Sequence, residues 1–179
     1  WEENSFILIY IGNMNPGRGI ELLIETIKKC PSNFKLILMG SGTLKNKYQH
    51  YIKNQHLENR IKFPNAVPFS DIIGTVMSCD LGVNLLETIN LNKRLASTNK
   101  LFEYIHAGIP ILATDSYENE IVISKYKTGY LVKNEVEDIY EKIILAEKNK
   151  FNFNKSNFDA AIDHFNWQNQ ESILLEIVK

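Results

Sequence analysis

Short apolar runs alternate with amphipathic stretches along most of this chain. The first run, 6–11, is continuously apolar and ends at Gly12, and a second apolar run, 34–39, ends at Gly40. Runs of this length that end at glycine are typical of strands buried on both faces of a parallel sheet. Between the two runs, apolar residues recur at i, i+3, i+4 and i+7, which predicts a helix with one buried face, formed by Ile20, Leu23, Ile24 and Ile27.

The same alternation continues to the end of the sequence. Further strands are predicted at residues 60–63, 81–86, 109–114 and 129–132. Helices are predicted at about 43–54, at 69–78 with Ser70 as its cap, at 97–108, at 117–124, around Val136 to Ile143, and in the tail at 155–163 and 167–179. This order predicts an α/β fold with a doubly wound, Rossmann-like parallel sheet and extra C-terminal helices.

Length, charge and cysteine content narrow the class of protein. With 179 residues, of which 44% are hydrophobic, we expect one domain with a full core. The net charge of -1 gives no electrostatic case for nucleic acid or for an anionic membrane surface. No apolar segment is long enough to span a membrane and no signal peptide opens the chain, so we expect a cytoplasmic protein with two free, buried thiols, Cys30 and Cys79. The start at Trp1, without an initiating Met, suggests part of a longer protein.

The segment from Ser97 to Asp115 carries the most informative polar pattern. Three capping residues, Ser97, Thr98 and Asn99, precede an amphipathic helix that ends at a glycine. Asn99 and Glu103 are one turn apart on one face, and a helix N-terminus attracts anions through its free N–H groups. This pattern favours a nucleotide diphosphate with Glu103 beside it. The alternative is an ordinary capped helix with a surface ion pair between Lys100 and Glu103.

The glycine-rich loop 12–19 nearly matches a phosphate-binding P-loop. Arg18 stands where that motif has lysine, and Gly19 replaces the hydroxyl residue that would bind magnesium. The dinucleotide-binding motif fails as well, because its glycine spacing and the acidic residue after the second strand are absent. The loop can still bind phosphate through backbone N–H groups and Arg18, or it is only a tight turn with a solvated arginine.

A second glycine pair, Gly40 and Gly42, follows the second strand, with Lys45 one turn into the next helix. The pair allows a phosphate to approach the backbone closely, and Lys45 could supply a charge. A common tight turn with a solvated lysine is the favoured alternative here.

Several motifs, in order, resemble the retaining GT-B glycosyltransferases of the glycosyltransferase family 4 type. The residues from Thr98 to Tyr104 and from Ala107 to Thr114 are similar to the donor-binding signature of that family. The turns at 11–23 and 39–42 resemble its first two βα turns, and 165–167 resembles its C-terminal aromatic segment. The resemblance covers about residues 6–170 and implies the C-terminal half of a GT-B fold.

The resemblance implies a donor site for a nucleoside diphosphate sugar, with UDP or GDP as its nucleotide. Arg18 would contact the diphosphate, Glu103 would hold the ribose hydroxyls, and the residues 65–67 would lie by the base. The complete expected donor-binding set is Gly12, Asn13, Arg18, Gly40, Gly42, Lys45, Asn65, Val67, Thr98, Asn99, Lys100, Leu101 and Glu103. Two positions depart from the family pattern: Asn13 replaces an arginine, and Leu95 replaces the first glutamate of the E-x7-E motif. Glu87 could substitute for that glutamate, although a solvated loop carboxylate is the favoured interpretation.

The resemblance also implies what this chain lacks. Residues 1–179 would form only the donor-binding domain, with the acceptor domain and its catalytic histidine missing, so the domain alone is expected to be inactive. None of His50, His56, His106 and His164 takes that catalytic role, and His106 is expected to be a satisfied structural histidine. The implied reaction is a retaining hexosyl transfer to a glycan or lipid-linked acceptor in polysaccharide biosynthesis. No obligatory metal or other cofactor is expected. A peripheral position at the cytoplasmic membrane face is a further expectation.

Two other functions stay open at this point. A nucleotide-sugar epimerase of GT-B shape would need acid–base groups around the sugar, and no convincing pair is present in this half. A non-catalytic nucleotide-binding module would need no second Rossmann-like domain at all.

Overall fold

The computed structural model describes residues 1–87, 91, 95–149 and 152–178, and the side chain of Ile173 is outside this description. Within this part of the chain, parallel strands form one sheet in the order β3-β2-β1-β4-β5-β6. The strands are β1 (Phe6–Ile11), β2 (Phe34–Met39), β3 (Ile61–Lys62), β4 (Leu81–Asn84), β5 (Ile111–Thr114) and β6 (Gly129–Val132). The predicted α/β fold with a doubly wound parallel sheet is confirmed.

Helices follow the strands as the amphipathic pattern predicts. They are α1 (Ile20–Lys29), α2 (Lys45–Asn54), α3 (Ile72–Met77), α4 (Asn99–Ala107), α5 (Tyr117–Tyr126), α6 (Val136–Lys148), α7 (Lys155–His164) and α8 (Trp167–Ile177). The predicted helix 69–78 is divided, because a 3₁₀ turn at Phe69–Asp71 precedes α3. Ser70 does not cap it, since its hydroxyl donates to Asp71 Oδ1 at 2.8 Å.

Three of the strands, β3, β4 and β5, are shorter than the sequence predicts. β4 ends at Asn84, although Leu85 and Leu86 remain buried. The reason is a change of hydrogen-bond partner, because the N–H of Leu86 donates to the side-chain Oγ1 of Thr114, at the end of β5, at 3.0 Å rather than to a backbone carbonyl of that strand. The apolar pattern therefore marks burial correctly and overestimates the length of the strand.

Each face of the sheet carries its own apolar layer. Alternate residues of β1 divide between the faces, with Leu8 and Tyr10 on one and Ile9 and Ile11 on the other. The first layer packs against α1, α2 and α6, and the second packs against α3, α4, α5 and α7. Cys30 and Cys79 are free and buried, one in each layer, as expected.

The order of the strands reverses at β1, which lies between β2 and β4. In an open parallel sheet, ligands bind beyond the carboxyl ends of the strands at such a reversal. The loop that follows β1 and the segment that leads from β4 to α4 both leave the sheet at this edge. The topology thus brings together the two segments that the sequence singles out.

Candidate functional site

The loop after β1 is fastened to the loop after β2 by backbone hydrogen bonds. The N–H of Met14 donates to the carbonyl of Ser41 at 2.6 Å, and the N–H of Leu44 donates to the carbonyl of Met14 at 3.0 Å. The glycines make this contact possible: a Cβ at Gly40 would lie 2.0 Å from the carbonyl oxygen of Gly12, and a Cβ at Gly42 would lie 2.5 Å from the N of Met14. In this structure the second glycine pair supports the first loop.

Lys45 belongs to the same support. Its ammonium donates to the carbonyl oxygen of Gly40 at 2.9 Å. Gly40, Gly42 and Lys45 do not line the cavity described below. Their direct contact with a donor stays a prediction.

The start of α4 is held by the sheet. Thr98 is the N-cap residue, yet its side chain makes no capping hydrogen bond, and its hydroxyl instead donates to Asn84 Oδ1 at 3.0 Å. The buried Asn84 amide in turn donates to Asn119 Oδ1 at 3.1 Å. Because Thr98 does not cap the helix through its side chain, N–H groups of the first turn remain available to an anion.

A cavity of about 490 Å³ lies between the end of β1 and the start of α4. This volume is in the range usual for sites that bind small molecules. It brings together seven of the residues that the sequence predicts, namely Gly12, Asn13, Arg18, Thr98, Asn99, Lys100 and Glu103. Tyr10, Ile11, Ile72, Ala96 and Ser97 complete its lining.

Three other predicted residues lie outside this lining. Asn65 is exposed and Val67 is half-buried in the loop between β3 and α3. Leu101 is fully buried in the core under α4, and its N–H donates to the carbonyl of Thr98 at 3.0 Å. A contact of the 65–67 loop with a nucleotide base remains a prediction.

The charged residues of the cavity have unusual surroundings. Lys100 is 6% exposed, and its Nζ lies 3.8 Å from the centre of the Tyr10 ring. Burial, with Arg18 nearby, lowers the pKa of Lys100 to about 7, against the opposing effect of Glu103. Burial also raises the pKa of Glu103, although Lys100 acts in the opposite direction. The alternative of a surface ion pair is wrong, since Lys100 Nζ is buried and has no hydrogen-bond partner in the described part of the chain.

Comparison with known proteins decides the family. Residues 1–161 match the family described as glycosyl transferases group 1. The chain belongs to the glycosyl transferases group 1 family. Two uncharacterized glycosyltransferases of Methanocaldococcus jannaschii are 37% identical over 118 residues and 27% identical over 142 residues. These alignments cover 63% and 76% of this chain but only 27% and 36% of those proteins, so the chain spans about a third of their length or less.

Solved structures show that the group 1 glycosyltransferase domain has the GT-B half-fold. Anabaena HepE in complex with UDP superimposes with a TM-score of 0.82 at 21% identity, over 98% of this chain and 50% of that one. Sucrose-phosphate synthase from Thermosynechococcus elongatus superimposes with a TM-score of 0.80 at 17% identity, over 99% of this chain and 46% of that one. TarM of S. aureus superimposes with a TM-score of 0.77 at 23% identity, over 98% of this chain and 35% of that one. At these identities the likeness concerns the fold.

Among residues 1–87, 91, 95–149 and 152–178, no cluster of three or more His, Cys, Asp and Glu side chains is placed to hold a metal ion. In the same ranges, no helix has both the length and the apolar character needed to cross a membrane.

The segment between β4 and α4 of the group 1 domain is described only in part. Residues 88–90 and 92–94 of the predicted 87–96 loop lie outside the described residues. Leu95, at the position where the resemblance implies the first glutamate of the E-x7-E motif, is 54% exposed. Glu87 is half-buried, and its N–H donates to the carbonyl of Gly17 at 3.2 Å. Neither residue lines the cavity.

The expectation for His106 is wrong. Its side chain is exposed in the last turn of α4, because position 106 lies on the face of that helix opposite the stripe formed by Leu101, Tyr104 and Ile105. It is therefore not a buried structural histidine.

Tyr10 and Asn84 are two residues of the site region that were not predicted from the sequence. Tyr10 belongs to the apolar run 6–11, and the hydrophobic pattern predicts only that such a residue is buried. The pattern does not show that its ring lies against the ammonium of Lys100. Asn84 did give a signal, because it is a polar residue inside the apolar run 81–86. A buried amide needs partners, and these are Thr98 and Asn119.

Proposed function

We propose that this domain binds the nucleoside diphosphate sugar donor of a retaining glycosyltransferase in the cavity between β1 and α4. One observation carries the proposal: Arg18, the N-terminus of α4 and Glu103 meet around one cavity of about 490 Å³. A diphosphate needs cations and N–H donors, and a ribose needs an acceptor for its two hydroxyls. UDP bound to the structurally similar HepE supports the choice of a nucleoside diphosphate.

The residues take different parts in this arrangement. N–H groups at the first turn of α4 and the guanidinium of Arg18 hold the diphosphate. The Glu103 carboxylate lies one helical turn further along and accepts hydrogen bonds from the ribose hydroxyls. When the bond to the sugar breaks, negative charge develops on the leaving diphosphate, and the same cations and N–H groups stabilise it.

The acceptor and the catalytic histidine belong to a second Rossmann-like domain in this proposal. The exposed apolar side chains of the last helix support it, since Trp167 is 61% exposed, Leu174 46% and Val178 69%, and these positions, at i, i+7 and i+11, share one face of the helix. Contiguous exposed apolar side chains indicate a surface that another protein surface covers. We expect the isolated domain to bind a donor without transferring its hexose to a glycan or lipid-linked acceptor.

Isothermal titration calorimetry with UDP, GDP, ADP, UMP and uridine tests donor binding. The domain should bind at least one diphosphate with a Kd in the range of about 1 μM to 1 mM, and should bind UMP and uridine more weakly. The loss of the β-phosphate removes the group that interacts with Arg18 and the helix N-terminus. Flat titrations with every diphosphate would overturn the proposal.

Glu103→Ala tests the position of the ribose. The variant should lose about tenfold in affinity for the preferred diphosphate, equivalent to one or two hydrogen bonds to a charged group. With the same nucleotide lacking its 2′-hydroxyl, the difference in affinity between parent and variant should be smaller, because one of the two hydroxyls that donate to Glu103 is already absent. Glu141→Ala, at an exposed carboxylate of α6, is the matched control and should bind as the parent does. Full affinity in Glu103→Ala would make Glu103 structural.

A further inference from the structure

Lys100 differs from an ordinary phosphate-binding lysine. It lines the cavity and is 6% exposed, and its Nζ has no hydrogen-bond partner in the described part of the chain. An ammonium that meets no acceptor at a buried site is costly. What it does contact is the face of the Tyr10 ring, with Nζ 3.8 Å from the ring centre. The backbone of Gly12 lies beside the same side chain, since a Cβ there would be 3.7 Å from Lys100 Cε.

The groups that face Lys100 work against each other. From the loop after β1, Arg18 repels an ammonium, while Glu103 on the same helix attracts it. From β1, the phenol of Tyr10 is neutral, because burial raises its pKa to about 12. Its ring still attracts a cation through its negative face. Burial is the largest of these effects and disfavours the charged form of Lys100.

We propose that Lys100 is a proton-linked cation of the diphosphate site, which rests on the ring of Tyr10 and takes up a proton when a diphosphate enters. The proposal rests on the proposed donor site. The lone pair of Nζ forms a new N–H bond with a proton from the buffer acid, which keeps the electron pair of the broken bond. The amine thereby gains one positive charge next to the incoming anion, and this favours the charged form.

Tyr10 is the positioning residue for this lysine. Its ring carries the amine, and its hydroxyl donates to the carbonyl oxygen of Asn13 at 2.6 Å, which also fixes the loop of the phosphate site. Tyr10→Phe keeps the ring and loses the hydroxyl, whereas Tyr10→Leu loses both. The two variants therefore separate the effect of the ring on Lys100 from the effect of the hydroxyl on the loop.

Calorimetry measures the proton directly. UDP, or whichever diphosphate binds, is titrated at pH 8 in buffers that differ in ionisation enthalpy, and the slope of the observed enthalpy gives the protons taken up. At this pH the second ionisation of the phosphate, near a pKa of about 6, is complete and does not contribute. Since the pKa of Lys100 is about 7 in the free protein, we expect uptake close to one proton.

Two variants of Lys100 assign the proton. Lys100→Arg stays charged at every pH tested, and Lys100→Met cannot be charged, so both should bind diphosphate without proton uptake. Uptake that persists in both variants would assign the proton to another group and overturn the proposal. Tyr10→Leu should lower the midpoint of proton uptake by about one pH unit, because the ring no longer stabilises the ammonium, while Tyr10→Phe should leave it in place.

The failure of this inference can be told from a failure of the donor site. If the parent binds no diphosphate even at pH 6, where Lys100 is already charged, the donor site itself is wrong. If the parent binds diphosphate at pH 6 and at pH 8 with no proton uptake at pH 8, the donor site stands and the proton linkage is wrong.

Discussion

The ring of Tyr104 lies against the backbone of Gly82, so closely that a Cβ atom at residue 82 would be 2.4 Å from Tyr104 Cγ. Gly82 is in the central strand β4, and Tyr104 is a fully buried residue of α4. The absence of a side chain on the strand thus sets how close the helix comes to the sheet. Since α4 carries Lys100 and Glu103, this contact also sets the position of the candidate site.

Gly82→Ala should destabilise the domain by about 1–3 kcal/mol, the usual cost of excess volume in a packed core. The added methyl has no room, because ring atoms of Tyr104 would lie 2.4 to 2.7 Å away. Chemical denaturation measures the change in the free energy of unfolding.

The control for Gly82→Ala is Gly74→Ala. A Cβ at Gly74, in α3, would meet nothing within 4 Å. Alanine in a helix should leave the stability unchanged or raise it by up to about 1 kcal/mol. Equal effects of the two substitutions would contradict the contact between Gly82 and Tyr104.

Tyr104→Phe should cost about 1–3 kcal/mol through its hydrogen bonds alone. The hydroxyl accepts from the N–H of Ile11 at 3.3 Å and donates toward the carbonyl oxygens of Ile9 and Val83, at 3.1 and 3.2 Å. Phenylalanine keeps the packing and leaves the buried N–H of Ile11 unpaired. Thermal denaturation tests this, and a melting temperature equal to that of the parent would mean that the N–H finds another acceptor.

Periodicity predicts the frame of this domain well, and the reasons are physical. β2 and β6 have the predicted bounds, and the stripe of Ile20, Leu23, Ile24 and Ile27 is buried as predicted. Buried apolar side chains recur with the period of the helix or strand that carries them. The local sequence therefore contains the type of each element and its buried face. The ends of strands and helices depend on hydrogen bonds to residues distant in the sequence. For example, the N–H of Leu86 donates to the Thr114 hydroxyl and so does not extend the backbone pairing of β4.

The candidate site, like the fold, has features that the sequence predicts and features that it does not. The sequence places Arg18 and Glu103 at one cavity because both follow from the carboxyl edge of a parallel sheet and from helical spacing. It cannot show that Lys45 bonds to Gly40 or that Lys100 lies on Tyr10, because these contacts depend on how two separate segments approach each other. Lysine is normally a surface residue, so composition favours the solvated interpretation for both.

Lys100→Met should raise the free energy of unfolding by about 1–3 kcal/mol at pH 6. The ammonium is buried without a hydrogen-bond partner in the described residues, and methionine fills a similar volume without the charge. The pH dependence gives the sign. The pKa is about 7 in the folded protein against an ordinary 10.5, so the unfolded chain binds more protons between these values. The stability of the parent therefore rises with pH across this window, and the advantage of methionine shrinks.

Lys125→Met is the control for this pH dependence. Lys125 also lies over an aromatic ring, with Nζ 5.1 Å from the centre of Tyr126, but its side chain is exposed. Its substitution should change stability by less than about 0.5 kcal/mol at any pH. Urea denaturation at pH 6 and pH 9 compares both variants with the parent. An advantage of Lys100→Met that grows with pH would contradict the buried ammonium.

The amide of Asn84 should link the sheet to the donor helix. Asn84 is fully buried at the end of β4, accepts from Thr98 at 3.0 Å and donates to Asn119 at 3.1 Å. Asn84→Leu should cost about 1–3 kcal/mol, because it leaves the polar atoms of both partners unpaired. Since Thr98 begins α4, the helix N-terminus should also lose its fixed position, and the affinity for a diphosphate should fall.

A double-mutant cycle separates this link from a general loss of packing. Asn84→Ala, Thr98→Ala and the double variant should give a coupling energy of about 0.5–3 kcal/mol in the free energy of unfolding, because the two side chains share one hydrogen bond. The same cycle, measured on diphosphate affinity at a temperature where every variant is folded, should give coupling of the same sign. If the two substitutions show a coupling energy in the free energy of unfolding but none in diphosphate affinity, the hydrogen bond stabilises the core and does not position the helix N-terminus for the donor. Because the first-turn N–H groups act only where they point at the phosphates, coupling in both measurements is the result that a positioning bond requires.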